Sequence, residues 1–342
     1  MTISSPSHLL PEDARGFLAR CGLADRDLQV FAADASRRQY TRLVGRDVVL
    51  MDDRHDPSGF AAYLQVSAHL NEMGLSAPRV LHAEPDPGLA LLEDFGDDTY
   101  ARCLGSGIDE EHLYALAVDA LLHLHHHPKG PAIERPLYDM EVHLDELSIF
   151  SRWYAPAMRP NLDIATFDKA WRALWSAALR PVADRYETLV LRDFHIDNLM
   201  LLPGREGVRA CGLLDFQDAI LGPCEYDLVS LLQDARRDID PDLEERLFQR
   251  YCAGAPDMLG NVEQIRQRYA LLGAQRHARI LGVFVRLHQK DGKSRYLPFM
   301  PRVLTQFEQA LATAGLDEIS GFLDDTLGDW RDLAKISDIT AG

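Results

Sequence analysis

The sequence predicts an α+β protein of two lobes, a small antiparallel β-rich N-lobe over residues 1–95 and a mostly helical C-lobe over residues 96–342. Three observations predict it. Short apolar runs joined by tight polar turns crowd residues 26–93. Beyond them, apolar positions recur at helical spacing. Between the two patterns lies Glu93-Asp94-Phe95-Gly96-Asp97-Asp98, a polar connector that reads as a hinge near 93–98.

The elements follow in order. Residues 1–25 read as a helix, with Phe17 and Leu18 on its apolar face. Leu28–Phe31, Tyr40–Val44 and Val48–Met51 read as strands. Polar turns at Asp34-Ala35-Ser36-Arg37-Arg38 and Gly45-Arg46-Asp47 join them into an antiparallel meander. Pro57–Gly74 reads as a helix, because proline suits a first turn and glycine a C-terminal cap. Strands Arg79–His82 and Leu89–Leu92 turn at Pro85-Asp86-Pro87-Gly88. In the C-lobe, His112–His127, Ile164–Ala183, Pro241–Tyr251, Val262–Arg286 and Pro301–Thr313 read as helices. One β-rich island interrupts them, formed by Leu189–Leu191, Leu199–Leu202 and Gly212–Leu214.

Hydrophobic residues make up 46% and charged residues 26% of the 342-residue chain, an ordinary globular balance that excludes wholesale disorder and fibrous repeats. The formal net charge of −17 repels phosphate backbones and anionic lipid, so neither nucleic acid nor a membrane is the expected partner. A local basic pocket for a small anion remains compatible with it. The five cysteines are odd in number and include no CxxC spacing, which reads as free thiols in a reducing compartment. The N-terminus has no basic segment leading into an apolar stretch, and no apolar run approaches bilayer length. The expectation is a cytoplasmic protein with no obligate protein partner.

Chemistry concentrates in Leu191-Arg192-Asp193-Phe194-His195-Ile196-Asp197-Asn198-Leu199 and in Leu213-Leu214-Asp215-Phe216-Gln217. Asp193 and Asn198 have the spacing of a kinase catalytic loop, and Asp215-Phe216 follows after a strand pair. Phosphoryl transfer needs a group to take the acceptor's proton and a metal on the phosphate oxygens. Asp193 suits the first task. Asn198 and Asp215 offer the oxygen ligands that Mg²⁺ prefers. His195, inside the loop, reads as a bracing residue, since Asp193 already fills the base position.

These residues resemble the aminoglycoside phosphotransferase and choline kinase group of kinase-like folds. The likeness is closer to the bacterial N-acetylmuramate/N-acetylglucosamine anomeric kinases of peptidoglycan recycling. It is carried by Arg192-Asp193-Phe194-His195, Asn198-Leu199-Met200 and Leu214-Asp215-Phe216-Gln217-Asp218-Ala219. Gly222-Pro223, Tyr226–Leu232, Asp34-Ala35-Ser36 with Arg38 and Tyr40, Leu92-Glu93-Asp94 and Gln275-Arg276-His277 continue it. The resemblance implies a two-lobed protein-kinase-like fold with ATP in its cleft, Mg²⁺ on the phosphates, and transfer to the anomeric hydroxyl of an amino sugar. It also implies that Asp227 braces the catalytic loop and that Glu93 sits at the adenine end.

One departure stands out. Where protein kinases end a strand V-A-I-K, this chain has Val48-Val49-Leu50-Met51. Methionine cannot hold phosphate. The helix that follows carries only Glu72, next to its end, so both halves of the usual Lys–Glu pair are missing together. Ser36, Arg37, Arg38 and Arg42 are the candidates to contact ATP phosphates instead, since guanidinium groups bind phosphate bidentately.

The acceptor site is expected in the helical lobe, from Glu146, Trp153, Arg276 and Arg279. Either arginine suits a lactyl carboxylate, and Trp153 suits a sugar face. His123, His125, His126 and His127 do not share one helix face and are read as a helix end rather than a metal site. The competing readings are a kinase of another hydroxyl compound, such as an aminoglycoside or choline, and a pseudokinase, for which Met51 is the support.

Overall fold

The computed structural model describes residues 3–5, 10–24, 26–31 and 38–338. Two compact units emerge: Met1–Lys129 with Leu191–Ala219, and Gly130–Val190 with Ile220–Gly342. The connector at 93–98 lies inside the first unit.

The first unit opens with β1 (Ile3–Ser5), α1 (Glu12–Arg20), β2 (Leu28–Val30), β3 (Gln39–Leu43) and β4 (Val48–Asp52). It continues through α2 (Pro57–Glu72), β5 (Val80–Glu84), β6 (Leu89–Glu93), α3 (Tyr100–Gly105) and α4 (Glu110–His126). Residues 1–25 are therefore not one helix. Pro11 occupies the N-cap of α1 with extended backbone, so the helix begins after it. Ile3–Ser5 instead pairs with β2. The sheet then has the order β1-β2-β3-β4-β6-β5, six strands where the sequence suggested five.

Alternation along the strands divides this sheet into two faces. Leu43, Leu50, Leu89 and Leu91 pack with Ala14, Phe17 and Leu18 of α1. The opposite face carries Tyr40, Arg42, Val49 and Leu92 and lines a cavity. Asp56 caps α2 by accepting from the Gly59 N–H at 2.9 Å. At the other end of α2, His123 Nε2 lies 2.7 Å from the Met73 carbonyl, so one of the four histidines read as a helix end is engaged in closing a helix.

The second unit runs through α5 (Met140–Ile149), a π turn at Phe150–Tyr154, α6 (Ala155–Met158), α7 (Ile164–Ala178) and β7 (Thr188–Val190). The chain then returns to the first unit as β8 (Leu199–Leu201) and β9 (Cys211–Leu213), an antiparallel hairpin. It resumes the second unit as β10 (Ile220–Gly222), α8 (Glu225–Leu232), α9 (Pro241–Gly254), α10 (Val262–Asp291), α11 (Met300–Thr313), α12 (Asp317–Leu327) and α13 (Ala334–Asp338). β10 pairs with β7. α10 is the spine of this unit, opened by a capping box between Asn261 and Gln264. Gly282 lets it approach the π turn, since a Cβ there would lie 2.6 Å from the Ile149 carbonyl carbon. Phe150 stacks on Trp171 at 4.8 Å and on Tyr154 at 4.7 Å in the core beside it. All five cysteines are free. Among the described residues no helix is long and apolar enough to cross a membrane.

Candidate active site

The site is built on the hairpin β8–β9. Antiparallel register sets Leu199 opposite Leu213, so the residues just outside the pair, Asn198 and Leu214, face each other. The Leu214 N–H donates to the Asn198 carbonyl at 2.9 Å and closes that end. Asp215 follows directly. A parallel bridge from Ser76 to Gly212 and an antiparallel one from Thr99 to Met200 tie the hairpin to the rest of the first unit. Gly212 is required there, because a Cβ would stand 2.9 Å from both Met200 Cβ and Phe95 Cδ2.

The loop before β8 is a series of tight turns. His195 N–H donates to the Asp193 carbonyl at 3.1 Å, and Asn198 N–H to the His195 carbonyl at 2.9 Å. Asn198 Nδ2 donates to the Asp193 carbonyl at 3.0 Å and lies 3.4 Å from His195 Nε2. His195 is buried, and its ring lies against the amide of a metal-ligand candidate. Among the described residues, the only non-glycine residues with positive φ are Arg192 (72°) and Asp215 (58°). Both flank or form the chemical group, and such backbone costs roughly 1–3 kcal/mol unless its surroundings hold it.

Asn198, Leu214 and Asp215 form one end of a cavity of about 380 Å³. Tyr40, Arg42, Val49, Tyr63 and the connector Leu92–Asp97 supply most of the rest. Asp215 is open to solvent, yet protein stands on most sides of it. Desolvation therefore raises its carboxyl pKa, with Gln217 pulling the other way and the Asp193 charge adding to the rise. The like charge of Asp193 thus works against ionisation of Asp215.

Oxygen donors of this kind fit Mg²⁺. Because Asn198 Nδ2 is held by the Asp193 carbonyl, its Oδ1 points away from that bond. Asp215 keeps Oδ1 oriented by accepting from Gln217 Nε2 at 3.0 Å. Among the described residues there is no cluster of three His, Cys, Asp or Glu side chains that could hold a metal alone. A site of two protein oxygens suits an ion that keeps waters and phosphate oxygens in its shell.

The connector end is made of ion pairs. Arg42 donates from Nη2 to Asp94 Oδ1 at 2.9 Å, from Nη1 to Asp97 at 2.7 Å and from Nη2 to the Gly96 carbonyl at 2.8 Å, and its Nε also donates to Asp94. Its guanidinium is thus committed to the connector. Glu93 pairs with Arg79 at 3.1 Å and Arg205 at 2.6 Å. Burial works against ionisation of Glu93, but the two arginines outweigh it and hold its carboxyl below the usual range. Arg38 lies at the other end of β3, paired with Asp53 at 2.8 Å. Ser36 and Arg37 fall outside the described residues. Glu72 pairs with Lys129 on the surface, which removes it from any role like that of the kinase helix glutamate.

The acceptor candidates all lie in the second unit. Glu146 accepts from Gln275 Nε2 at 3.1 Å and from the Tyr138 hydroxyl, and Arg279 Nε stands 3.6 Å from it. Arg276 is buried, with Nη1 3.2 Å from the Tyr226 hydroxyl and the guanidinium 5.4 Å over that ring. Trp153 is half-buried in the π turn. Asp227 is buried in the first turn of α8. Sequence reasoning missed Tyr63, Asp53 and Tyr138, and it named Tyr40 and Gln217 only as part of the resemblance, with no role at the site. The period-two pattern of β3 and β4 is the signal that would have found Tyr40 and Asp53.

Comparisons with known proteins agree with this geometry. A family model described as the phosphotransferase enzyme family matches residues 27–272. The N-acetylmuramate/N-acetylglucosamine kinase of Caulobacter vibrioides is 39% identical over 274 residues, covering 77% of this chain and 74% of that protein. The protein of the same name from Neisseria meningitidis is 34% identical over 288 residues, covering 82% and 84%. In fold, an ADP-bound aminoglycoside phosphotransferase aligns with a TM-score of 0.60 at 14% identity, over 88% of this chain and 99% of its own. A choline/ethanolamine kinase family protein from Mesorhizobium loti aligns with a TM-score of 0.57 at 15% identity, over 95% and 98%. The expected two-lobed kinase-like class is therefore the fold of this chain. Family match, relatives and fold converge, and the chain belongs to the phosphotransferase enzyme family, as a kinase that acts on a hydroxyl acceptor.

Proposed function

We propose that the protein transfers the γ-phosphoryl group of ATP to the anomeric hydroxyl of N-acetylmuramate or N-acetylglucosamine. The product is the sugar 1-phosphate, and the setting is cytoplasmic recycling of peptidoglycan. The observation that supports this reading is that Asn198 and Asp215 line one cavity, with Asn198 bonded to the Asp193 main chain and the Asp193 charge acting on Asp215. The names of the relatives at 39% and 34% identity support the choice of acceptor.

In this mechanism Asp193 accepts the proton of the anomeric hydroxyl as its oxygen bonds to the γ-phosphorus. The bond from that phosphorus to the β–γ bridging oxygen breaks, and ADP leaves. Asn198 and Asp215 hold Mg²⁺, which when bound neutralises charge on the phosphate oxygens. His195 keeps the Asn198 amide in place. The connector at 92–97 receives adenine. Little covalent help is asked of the protein, so positioning dominates. On the acceptor side, Arg279 or Arg276 meets the lactyl carboxylate, Glu146 orients Arg279, and Trp153 stacks on the sugar.

The test is ATP consumption with Mg²⁺ against N-acetylmuramate, N-acetylglucosamine, kanamycin and choline, with Asp193→Ala as control. Sugar-dependent turnover lost in the variant is expected, with phosphorus NMR placing phosphate on position 1. Turnover with kanamycin or choline and none with either sugar would overturn the acceptor assignment.

A further inference from the structure

Phosphoryl transfer wants a cation on the phosphates, and the strand position that carries a lysine in protein kinases is Met51 here. The pairing of β3 with β4 points to a replacement. Tyr40 stands opposite Met51, and Arg42 opposite Val49. Tyr40, Arg42 and Val49 line the cavity, and strand alternation places Met51 on that same face. One cross-strand step further, past the pair Gln39 and Asp52, Arg38 comes level with Asp53. Arg38 Nε donates to Asp53 Oδ2 at 2.8 Å, and the two side chains are 5% and 3% exposed. An ion pair thus stands on the cavity face two residues from Met51, roughly 7 Å along the strand.

Its position along the cavity is also defined. Arg42 is engaged with the connector at one end of β3. At the other end the Arg38 guanidinium lies 5.8 Å over the Tyr63 ring, which stacks at 4.9 Å on Phe216, the neighbour of Asp215. Between the two arginines, burial pushes the Tyr40 phenol up to about 12, while a hydrogen bond with Arg38 works against that rise. So Arg38 belongs to the metal end and Arg42 to the connector end.

Resting on the reading that this cavity binds ATP, we infer that Arg38 holds the ATP phosphates in place of the strand lysine, and that Asp53 is its positioning residue in place of the helix glutamate. The pair has moved as a unit. Both partners now come from neighbouring strands rather than from a strand and a helix. Neither buried charge is left alone, which is the arrangement that burial demands. Asp53 fixes Nε and so sets the plane of the guanidinium, the geometry that decides whether an arginine fork can meet phosphate.

The experiment is calorimetric titration of adenosine, ADP and Mg²⁺-ATP into wild type, Arg38→Gln and Asp53→Asn, with steady-state kinetics alongside. Wild type is expected to bind ATP more tightly than adenosine. Arg38→Gln should lose roughly ten-fold or more of that gain while adenosine affinity stays within about two-fold. Asp53→Asn should lose a smaller part, seen as a rise in KM for ATP larger than the fall in kcat. Met51→Lys added to Arg38→Gln should recover part of the gain. If thermal unfolding shows Arg38→Gln unfolded, the near-isosteric Asp53→Asn decides alone. A full adenosine-to-ATP gain in the variants overturns the inference and leaves the ATP reading standing, as does equal weakening of all three ligands. A wild type with no preference for ATP over adenosine overturns both.

Discussion

Asn198 Nδ2 donates to the main-chain carbonyl of Asp193 at 3.0 Å, so one side chain spans the loop that carries the proposed base. The bond fixes the amide, and with it the oxygen offered to a metal. Asn198→Asp keeps an oxygen ligand and loses the donor, whereas Asn198→Ala loses both. The alanine variant should show the larger fall in kcat, about 10–100-fold, and a higher Mg²⁺ concentration at half-maximal rate. Steady-state rates across an Mg²⁺ titration check this.

Asp193→Ala should lower kcat by about 10²–10⁴-fold with little change in KM for ATP. Its side chain is half-exposed, so thermal unfolding should be close to wild type.

Gly212→Ala tests the seat of the hairpin. The added methyl would stand 2.9 Å from Met200 Cβ and Phe95 Cδ2, one on the neighbouring strand and one on the connector. Overpacking of this kind costs about 1–3 kcal/mol. Urea unfolding should show that loss, and nucleotide affinity should fall with it because Phe95 and Met200 both line the cavity.

Arg42→Ala should behave unlike any change at Arg38. Arg42 and Asp94 are 13% and 9% exposed, so the variant leaves a largely buried carboxylate without its cation. A stability loss of about 3 kcal/mol is expected, by urea unfolding. Adenosine and ATP should weaken together, since the connector end is the part disturbed.

Acid stability should depend on buried histidines. Burial pushes His277 down to about 3 and His125 to about 3, and holds His143 at about 4. Gln233 Nε2 donates to Glu244, which turns its Oε1 to His277 Nε2 at 2.8 Å and fixes the neutral tautomer. The folded-state pKa is depressed, so the unfolded chain takes up a proton first as pH falls. Stability is therefore complete above about 6.5 and is lost progressively as pH drops toward about 3. His277→Gln should be less stable than wild type at pH 7. The gap should narrow at pH 5 by up to about 2 kcal/mol, measured by urea unfolding at both values.

The loop that joins Asp193 to Asn198 was legible because the two are close in sequence and the hairpin that follows is short-range. Its backbone strain at Arg192 and Asp215 was not, since arginine rarely adopts a positive φ and aspartate, though enriched there, does so in only a minority of cases. The strand-to-strand partners of Arg38 and Arg42 required the register, which alternation alone suggests but does not fix. Gln275 reaches Glu146 and Tyr138 from a distant helix, and no local pattern announces such a network. The π turn at Phe150–Tyr154 reads as ordinary helix in sequence; what marks it is the glycine on another helix, Gly282, that packs against it. The helix expected over residues 1–25 failed where Pro11 interrupts it.

The first unit is discontinuous, with residues 130–190 made before its last segment, 191–219. A ribosome therefore releases the whole six-stranded sheet before the hairpin that bears Asn198 and Asp215 exists. At roughly 5–20 residues per second the nascent cavity wall waits several seconds for Asn198 and Asp215. During that interval the cavity face of the sheet, with Val49, Met51 and Leu92, lacks the hairpin that will form the far end of the cavity. Nucleotide affinity is therefore a property the chain acquires late, and a fragment ending at Lys129 would carry the connector, Arg38 and Arg42 without Asp193, the proposed base.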